Sequence, residues 1–347
     1  MTIHIVNPLA DHRWDDLVER HPRASVFHQR SWLEALSRTY GYEPLVLTST
    51  PPGQKLEDGF VFCRVASWIT GTRLVSLPFA DHCEPLVSDL AQSTEFLSWL
   101  REKCDRGRWR YVELRPLFSV PVAGSGLQPS QSFSFHELDI RPSLEQIFRR
   151  LHKDSIQRRI RRAEKERFTY EAGASAHLVE EFYRLVLTTR RRQKLPPQPR
   201  SWFDSLVECM GDRLQIRLVR KDETPMAAIL SLRHRSTMVY KYGCSDEKFH
   251  HFGVMPFLFW RLIEESKALG IERIDFGRSD LDRPSLSAFK DKFGTTKRLL
   301  TYYRYNGVSR KQGAGAAWTA QVMRQVFSVL PDAVLSKGGR LLYRHMG

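Results

Sequence analysis

Two short stretches late in the chain hold residue types that could do chemistry: IERIDFGRSD at 271–280 and SAFKDKFG at 287–294. Asp275-Phe276-Gly277 matches the magnesium-holding tripeptide of protein kinases. That chemistry also requires a glycine-rich loop, a strand lysine in a V-A-I-K-like setting and an upstream H-R-D loop. The sequence has none of them. Here the tripeptide follows a helical pattern and closes a strand. The loop after it, RSDLDRPS, carries Arg278, Asp280, Asp282 and Arg283. Charged groups at the C-terminal end of a strand in an open α/β sheet stand where ligands bind; the alternative is a solvated loop with local Arg–Asp pairs, worth little energetically. Phe289-Lys290 follows on a short helical pattern ended by Gly294. A lysine there is the residue type that stabilises an oxyanion as an acyl group is transferred.

A third stretch, YGCSDEKFHHFGVMPF at 242–257, reads as strand, loop and helix start, with Pro256 near the first helical position. A helix start offers unpaired N–H groups and the positive end of the helix dipole, so Gly253, Val254 and Met255 could hold an anionic group. Gly253 would let the backbone approach a phosphate closely. A plain strand-to-helix turn is the other reading. His250-His251 offers a general base or a solvated, capping pair. Cys244 offers an acyl-accepting thiol or a small buried residue at a strand end. P-loop, G-x-G-x-x-G, H-E-x-x-H and G-x-S-x-G patterns are absent.

These residues must be positioned by alternating helices and strands. ADHRWDDLVERH and QRSWLEALSRTYG have helical spacing, and the second ends at Gly41. EPLVLTST, GFVFCRVASWI, TRLVSLPF and RYVELRPL read as strands, with STEFLSWLREKCDRG a helix between the last two. SVPVAGSGLQPSQS, rich in Pro, Gly and Ser, reads as a linker. After it come a strand FSFHELDI and one long helix over SLEQIFRRLHKDSIQRRIRRAEKERF. Two more helices follow, LVEEFYRLVLTTRRRQK and SWFDSLVECMGD. A three-strand meander, RLQIRLVR, PMAAILSLRH and TMVYKYGCS, is joined by hairpin-length turns. The helix PFLFWRLIEESKALG, the strand IERIDFG, the short helix with Lys290 and the strand KRLLTYYRY complete the pattern. The expectation is an α/β (α+β) fold in two related domains, 1–130 and 131–306, with a C-terminal tail at 307–347. Trp318, Val322, Gln325 and Val326 make that tail an amphipathic helix, to dock on the body or lie on a membrane.

At 347 residues the chain can bury two ordinary cores. Its net charge of +15 suggests an anionic partner such as a polyphosphate, tRNA or an acidic membrane face. The helix RRLHKDSIQRRIRRAEK and the run TTRRRQK could track a phosphate backbone or be solvated faces. Five dispersed cysteines with no C-x-x-C pair suit free thiols in a reducing compartment and argue against zinc. No basic n-region with an apolar h-region opens the sequence, and no apolar run approaches the roughly 20 residues that span a bilayer. The expected location is cytoplasmic, with the inner membrane surface as a possible place of work.

FGRSD, FKDKFG, the closing strand LLTYYRY, VYKYGCSD, FYRLVLTTRRRQKLPPQP, VFHQRSWLEALSRTYGYEP and LPFADHCEPL together resemble the FemAB-like branch of the GNAT (N-acetyltransferase) superfamily, over about residues 1–305. The resemblance implies two tandem GNAT-like acyltransferase domains. It implies aminoacyl-tRNA or acyl-CoA as co-substrate, no tightly bound cofactor, and an amine acceptor such as a phosphate-containing cell-wall or envelope precursor. It points to Lys290 for transfer, to Tyr240 or Tyr242 for acceptor contact and to Arg190 or a neighbour for the acceptor's phosphates. The helical-hairpin insertion of some cell-wall branching enzymes does not occur here.

The expected reaction is attack of an amine on an activated ester or thioester. Lys290 and backbone N–H groups meet the oxyanion, and a carboxylate such as Asp275, or the substrate itself, removes the proton. Asp275, Arg278, Asp280 and Phe289 rim this site, with no metal. The competing expectation is a non-catalytic basic scaffold that binds RNA or an anionic lipid surface.

Overall fold

A computed structural model describes residues 2–68, 71–88, 90–118, 124–307 and 343–345. Their contacts divide them into two units. One holds the residues through Ser132, those from Leu300 onward and 343–345; the other is Phe133–Leu299.

In the first unit, β1 (His4–Val6), β2 (Glu43–Thr48), β3 (Phe60–Val65) and β4 (Arg73–Val75) pair antiparallel in sequence order. Helices α1 (Arg13–Arg20) and α2 (Arg30–Tyr40) lie between β1 and β2, and α2 ends where Gly41 takes φ 70°. Helix α3 (Leu90–Asp105) returns the chain so that β5 (Tyr111–Leu114) pairs parallel to β4. The sixth strand is the far end of β12 (Thr296–Asn306), antiparallel to β5 from Tyr303 to Asn306. Phe60, Phe62, Phe96, Leu100 and Val112 centre the core. Residues 343–345 dock on this unit: the Tyr42 hydroxyl donates to the Tyr343 carbonyl at 2.5 Å and the Arg73 guanidinium to the His345 carbonyl at 2.7 Å. The expected tail helix with Trp318 and Val322 lies outside the described residues.

The second unit repeats the plan. β7 (Thr169–Gly173), β8 (Leu214–Lys221), β9 (Thr224–His234) and β10 (Thr237–Ser245) form an antiparallel meander. Its β8–β9 hairpin closes through Asp222 and Glu223, both at positive φ, as a tight two-residue hairpin turn requires. Helices α6 (Ala176–Arg192) and α7 (Arg200–Met210) separate β7 from β8. Helix α8 (Val254–Ala268) crosses over, and β11 (Arg273–Asp280) pairs parallel to β10. β6 (Gln128–Asp139) then pairs antiparallel to β11 from Phe133 to Asp139. Helix α9 (Pro284–Asp291) follows β11. Arg217, fully buried on β8, is held by Glu265 of α8 at 2.8 Å and Ser231 at 2.6 Å, so a buried charge has its partners.

Four elements differ from the sequence reading. The expected long helix is broken: α4 (Leu144–Arg150) stops at Leu151, residues 153–157 form a π-helical turn, and α5 (Arg158–Ala163) resumes. The buried positions explain it. Ile147 and Leu151 are four apart, but the next core residue is Ile156 and then Ile160. One extra residue must be absorbed, and a π turn absorbs it. The His152 ring caps the new start by accepting from the Ser155 N–H at 3.2 Å. The linker stretch ends in strand rather than loop, since β6 begins at Gln128. β1 and the edge strand β7 have burial patterns too weak for alternation to reveal them.

Candidate active site

The Asp-Phe-Gly stretch is a bulge. Asp275 pairs with Glu137 of β6 and Gly277 with His136, so Phe276 is the extra residue, and Gly277 takes φ 70°. The buried Asp275 carboxylate accepts the Gly277 N–H at 2.6 Å. This is a correction to its expected place on the rim: the group stands in the interior and shapes the turn. The Phe276 ring stacks on Phe259 of α8, centroids 5.0 Å apart.

The bulge aims two carbonyls at α9. Lys290 is 2% exposed, and its Nζ donates to the Gly277 carbonyl at 3.1 Å and the Arg278 carbonyl at 3.0 Å. Phe289 and Phe293 anchor the helix from below, rings 5.2 Å apart and both packed on Phe259. Arg278 lies over the Phe133 ring at 4.1 Å, and the exposed Asp280 is 4.0 Å from Arg283.

Next to the bulge the sheet opens. β10 and β11 pair only from Thr237–Arg273 to Val239–Asp275, and both strands run on past that point. β10 has its own bulge at Lys241, where Tyr240 faces Ser231 and Tyr242 faces Leu230. Residues two apart in a strand share a face, but the bulge separates these two. Tyr240 packs on Phe259, centroids 4.7 Å apart, whereas Tyr242 packs on Phe203 of α7 and accepts from Trp202 Nε1 at 2.8 Å. Only Tyr240 borders the opening beside Phe276, at 6.3 Å.

Helix α8 starts at the same end of β10. Gly253 takes φ 79°, and a side chain there would lie 2.7 Å from the Arg159 carbonyl. The missing side chain therefore admits the backbone of α5. Val254 is core and Met255 packs against it. Arg159 stands at this start, and Arg158, Arg159, Arg161 and Arg162 of α5 are exposed.

The other expected groups are engaged by neighbours of their own. Arg190 at the end of α6 donates to Gln198 Oε1 at 3.3 Å. His250 is 2.8 Å from Ser245 Oγ, and burial, then Arg192, holds its pKa below the ordinary histidine value. Cys244 is buried and its thiol pKa is pushed up by burial, so it is no nucleophile. Among the described residues no cluster of His, Cys, Asp or Glu could hold a metal.

One residue at this site was not expected. His136, fully buried on β6 opposite Gly277, has Nε2 3.0 Å from Asp291 Oδ1 and 3.3 Å from Ser287 Oγ. In FSFHELDI it looks like any strand histidine, and its partners lie on α9, far along the chain.

A splayed parallel strand pair, a crossover helix starting at its open end and a lysine fixed at the strand bulge form one arrangement within the second unit. A family model described as an acetyltransferase (GNAT) domain matches residues 150–291. The chain carries a GNAT domain. Its class of chemistry is acyl transfer, with acyl-CoA as the co-substrate of the class. FemX shares the fold at a TM-score of 0.69 and 14% identity, over 94% of this chain and 100% of that one. A tandem GNAT protein from the clavulanic acid biosynthesis pathway follows at 0.57 and 11%, over 89% and 100%. The C-terminal domain of a putative lysylphosphatidylglycerol synthetase from Agrobacterium fabrum gives 0.56 and 15%, over 94% and 96%. At such identities the likeness is one of fold, and the fold is tandem GNAT. No curated protein sequence matches significantly. The GNAT match ends at Asp291, so it takes in Lys290 and the β11 bulge but leaves out His136. No helix among the described residues is long and apolar enough to cross a membrane.

Proposed function

We propose that the GNAT domain transfers an acyl or aminoacyl group from a phosphate-bearing carrier to a primary amine, with Lys290 as the oxyanion-stabilising group. The observation that carries this reading is the placement of Lys290 Nζ on the Gly277 and Arg278 carbonyls, beside the opening between β10 and β11. Its ammonium is the group that meets the carbonyl oxygen as charge develops on it.

The amine nitrogen attacks the carbonyl carbon, a C–N bond forms, and the electron pair moves to the oxygen. Collapse breaks the bond to the carrier's oxygen or sulfur, and the amine's proton leaves with the carrier. Asp275 supports this step by holding the bulge, its carboxylate already engaged by the Gly277 N–H. Tyr240, Arg278, Asp280 and Phe289 border the acceptor.

Aminoacyl-tRNA is the favoured carrier. The α5 arginines present exposed charge to a phosphate backbone. The fold shared with FemX, and with a synthetase named for joining lysine to phosphatidylglycerol, supports an aminoacyl donor and an envelope acceptor. Native mass spectrometry of the purified protein tests the carrier. Co-purified tRNA, lost on substituting Arg158, Arg159, Arg161 and Arg162 together, is the expected result. A bound CoA species with no RNA would reverse the choice.

A further inference from the structure

His136 occupies one of the two register pairs that serve Lys290. It lies opposite Gly277 on β6, and the Gly277 carbonyl receives the Lys290 amine. From this position its imidazole reaches Ser287 and Asp291, one helical turn apart on α9, the second of them adjacent in sequence to Lys290. We propose that His136 is a proton-sensitive positioning residue: neutral, it fastens α9 to β6 and so fixes Lys290 at the bulge; protonated, it releases that fastening. This deepens the acyl-transfer reading, on which the role of Lys290 rests.

The geometry selects one protonation state. The ring is 0% exposed, and its Nδ1 is buried without a hydrogen-bond partner among the described residues. A proton on Nε2 is well used, since that nitrogen is 3.0 Å from the Asp291 carboxylate. Nδ1 is then a bare acceptor. Either the other neutral tautomer or the imidazolium would put an N–H in the interior with nothing to receive it, which costs more than an unused lone pair.

Of the charges that face the ring, Lys290 of α9 and Lys297 of β12 oppose a second proton and Asp291 of α9, itself 3.8 Å from Lys297, favours one. Burial first, and then Lys290, keeps its pKa below the ordinary histidine value. Acidification must eventually protonate the ring, and the fastening is the interaction that pays.

Hydrogen exchange on the full chain reads this without any substrate. Protection of residues 284–294, corrected for intrinsic rates, is compared with protection of α6 between about pH 7.5 and about pH 5. The wild type is expected to lose about tenfold or more in protection of α9 while α6 holds. His136→Gln supplies an amide N–H to Asp291 that does not titrate, so it should keep α9 protected across the range. His136→Leu should expose α9 at every pH. Parallel behaviour of α9 and α6 in the wild type would overturn the proposal, and that comparison needs no variant to fold. An acid step in His136→Gln equal to the wild type's would overturn it too. Because the readout is local exchange, it stands even if Lys290 proves dispensable for transfer. With a working donor and acceptor, the same step should appear as an acid limb in kcat that His136→Gln removes and KM does not share.

Discussion

Lys290 on α9 and Gly277 on β11 are joined by a buried hydrogen bond of 3.1 Å, made by a side chain that also reaches the next carbonyl along. Replacing Lys290 with Met keeps the volume and strands both acceptors. An unsatisfied buried group costs about 1–3 kcal/mol, so the variant should unfold at lower urea yet remain folded at rest. A midpoint equal to wild type would mean that the amine is not seated on these carbonyls.

Asp275 should divide its two conservative variants. Asn keeps an oxygen for the Gly277 N–H, now at 2.6 Å from the carboxylate, while Ala leaves the N–H without it. Asp275→Ala is therefore expected to lose about 1–3 kcal/mol of stability and Asp275→Asn much less. If turnover depended on Asp275 as a base, Asn would be as inactive as Ala; the structure predicts that Asn retains most of it. Chemical denaturation and rate measurements on the pair separate these cases.

Gly253→Ala tests the packing of that glycine against α5. At φ 79° with the Arg159 carbonyl 2.7 Å from the added carbon, the change should cost roughly 2 kcal/mol or more with no ligand present. A loss no larger than the positive φ alone imposes would mean that the Arg159 carbonyl gives way. Thermal unfolding of the ligand-free variant decides it.

Stability should fall on mild acidification. His136, His250 and His345 all have pKa values held below the ordinary histidine value, in each case by burial first. The unfolded chain then takes up protons more readily than the folded one. Their contribution is complete above about pH 6.5 and declines as pH falls from there through the folded values. Carboxylates act lower: Asp139, held to about 2 by its hydrogen bond to Arg141, still favours folding at pH values where the histidines no longer do. Urea midpoints measured from neutral to mildly acid pH should show the earlier loss, and a flat profile would contradict it.

The chemistry-bearing stretches were legible because their parts are close in sequence. The Asp275 turn, Gly277 and Lys290 fall within a strand and the helix after it, and the bulge merely brings them together. The three-strand meander and the crossover helix α8 announced themselves through continuous apolar runs and hairpin turns. His136 was not legible, since the residues it meets are 155 positions away and nothing in a strand pattern marks such a partner. The break after Leu151 was hidden in the same way: a single extra residue between core positions looks like ordinary scatter until packing fixes which isoleucines are buried. Gly253 was legible as a residue type but not in its contact with Arg159, because close approach by backbone and by phosphate make the same demand on sequence.

The central claim is acyl transfer at Lys290, and a paired transfer assay tests it most directly. Aminoacyl-tRNA and acyl-CoA would each be offered with a panel of primary amines, and amide product measured for wild type, Lys290→Arg and Lys290→Ala. The account predicts amide formation by the wild type, a loss of about 100-fold or more in kcat for Lys290→Ala, and partial activity for Lys290→Arg. A folded Lys290→Ala that transfers at the wild-type rate on the same pair would contradict it.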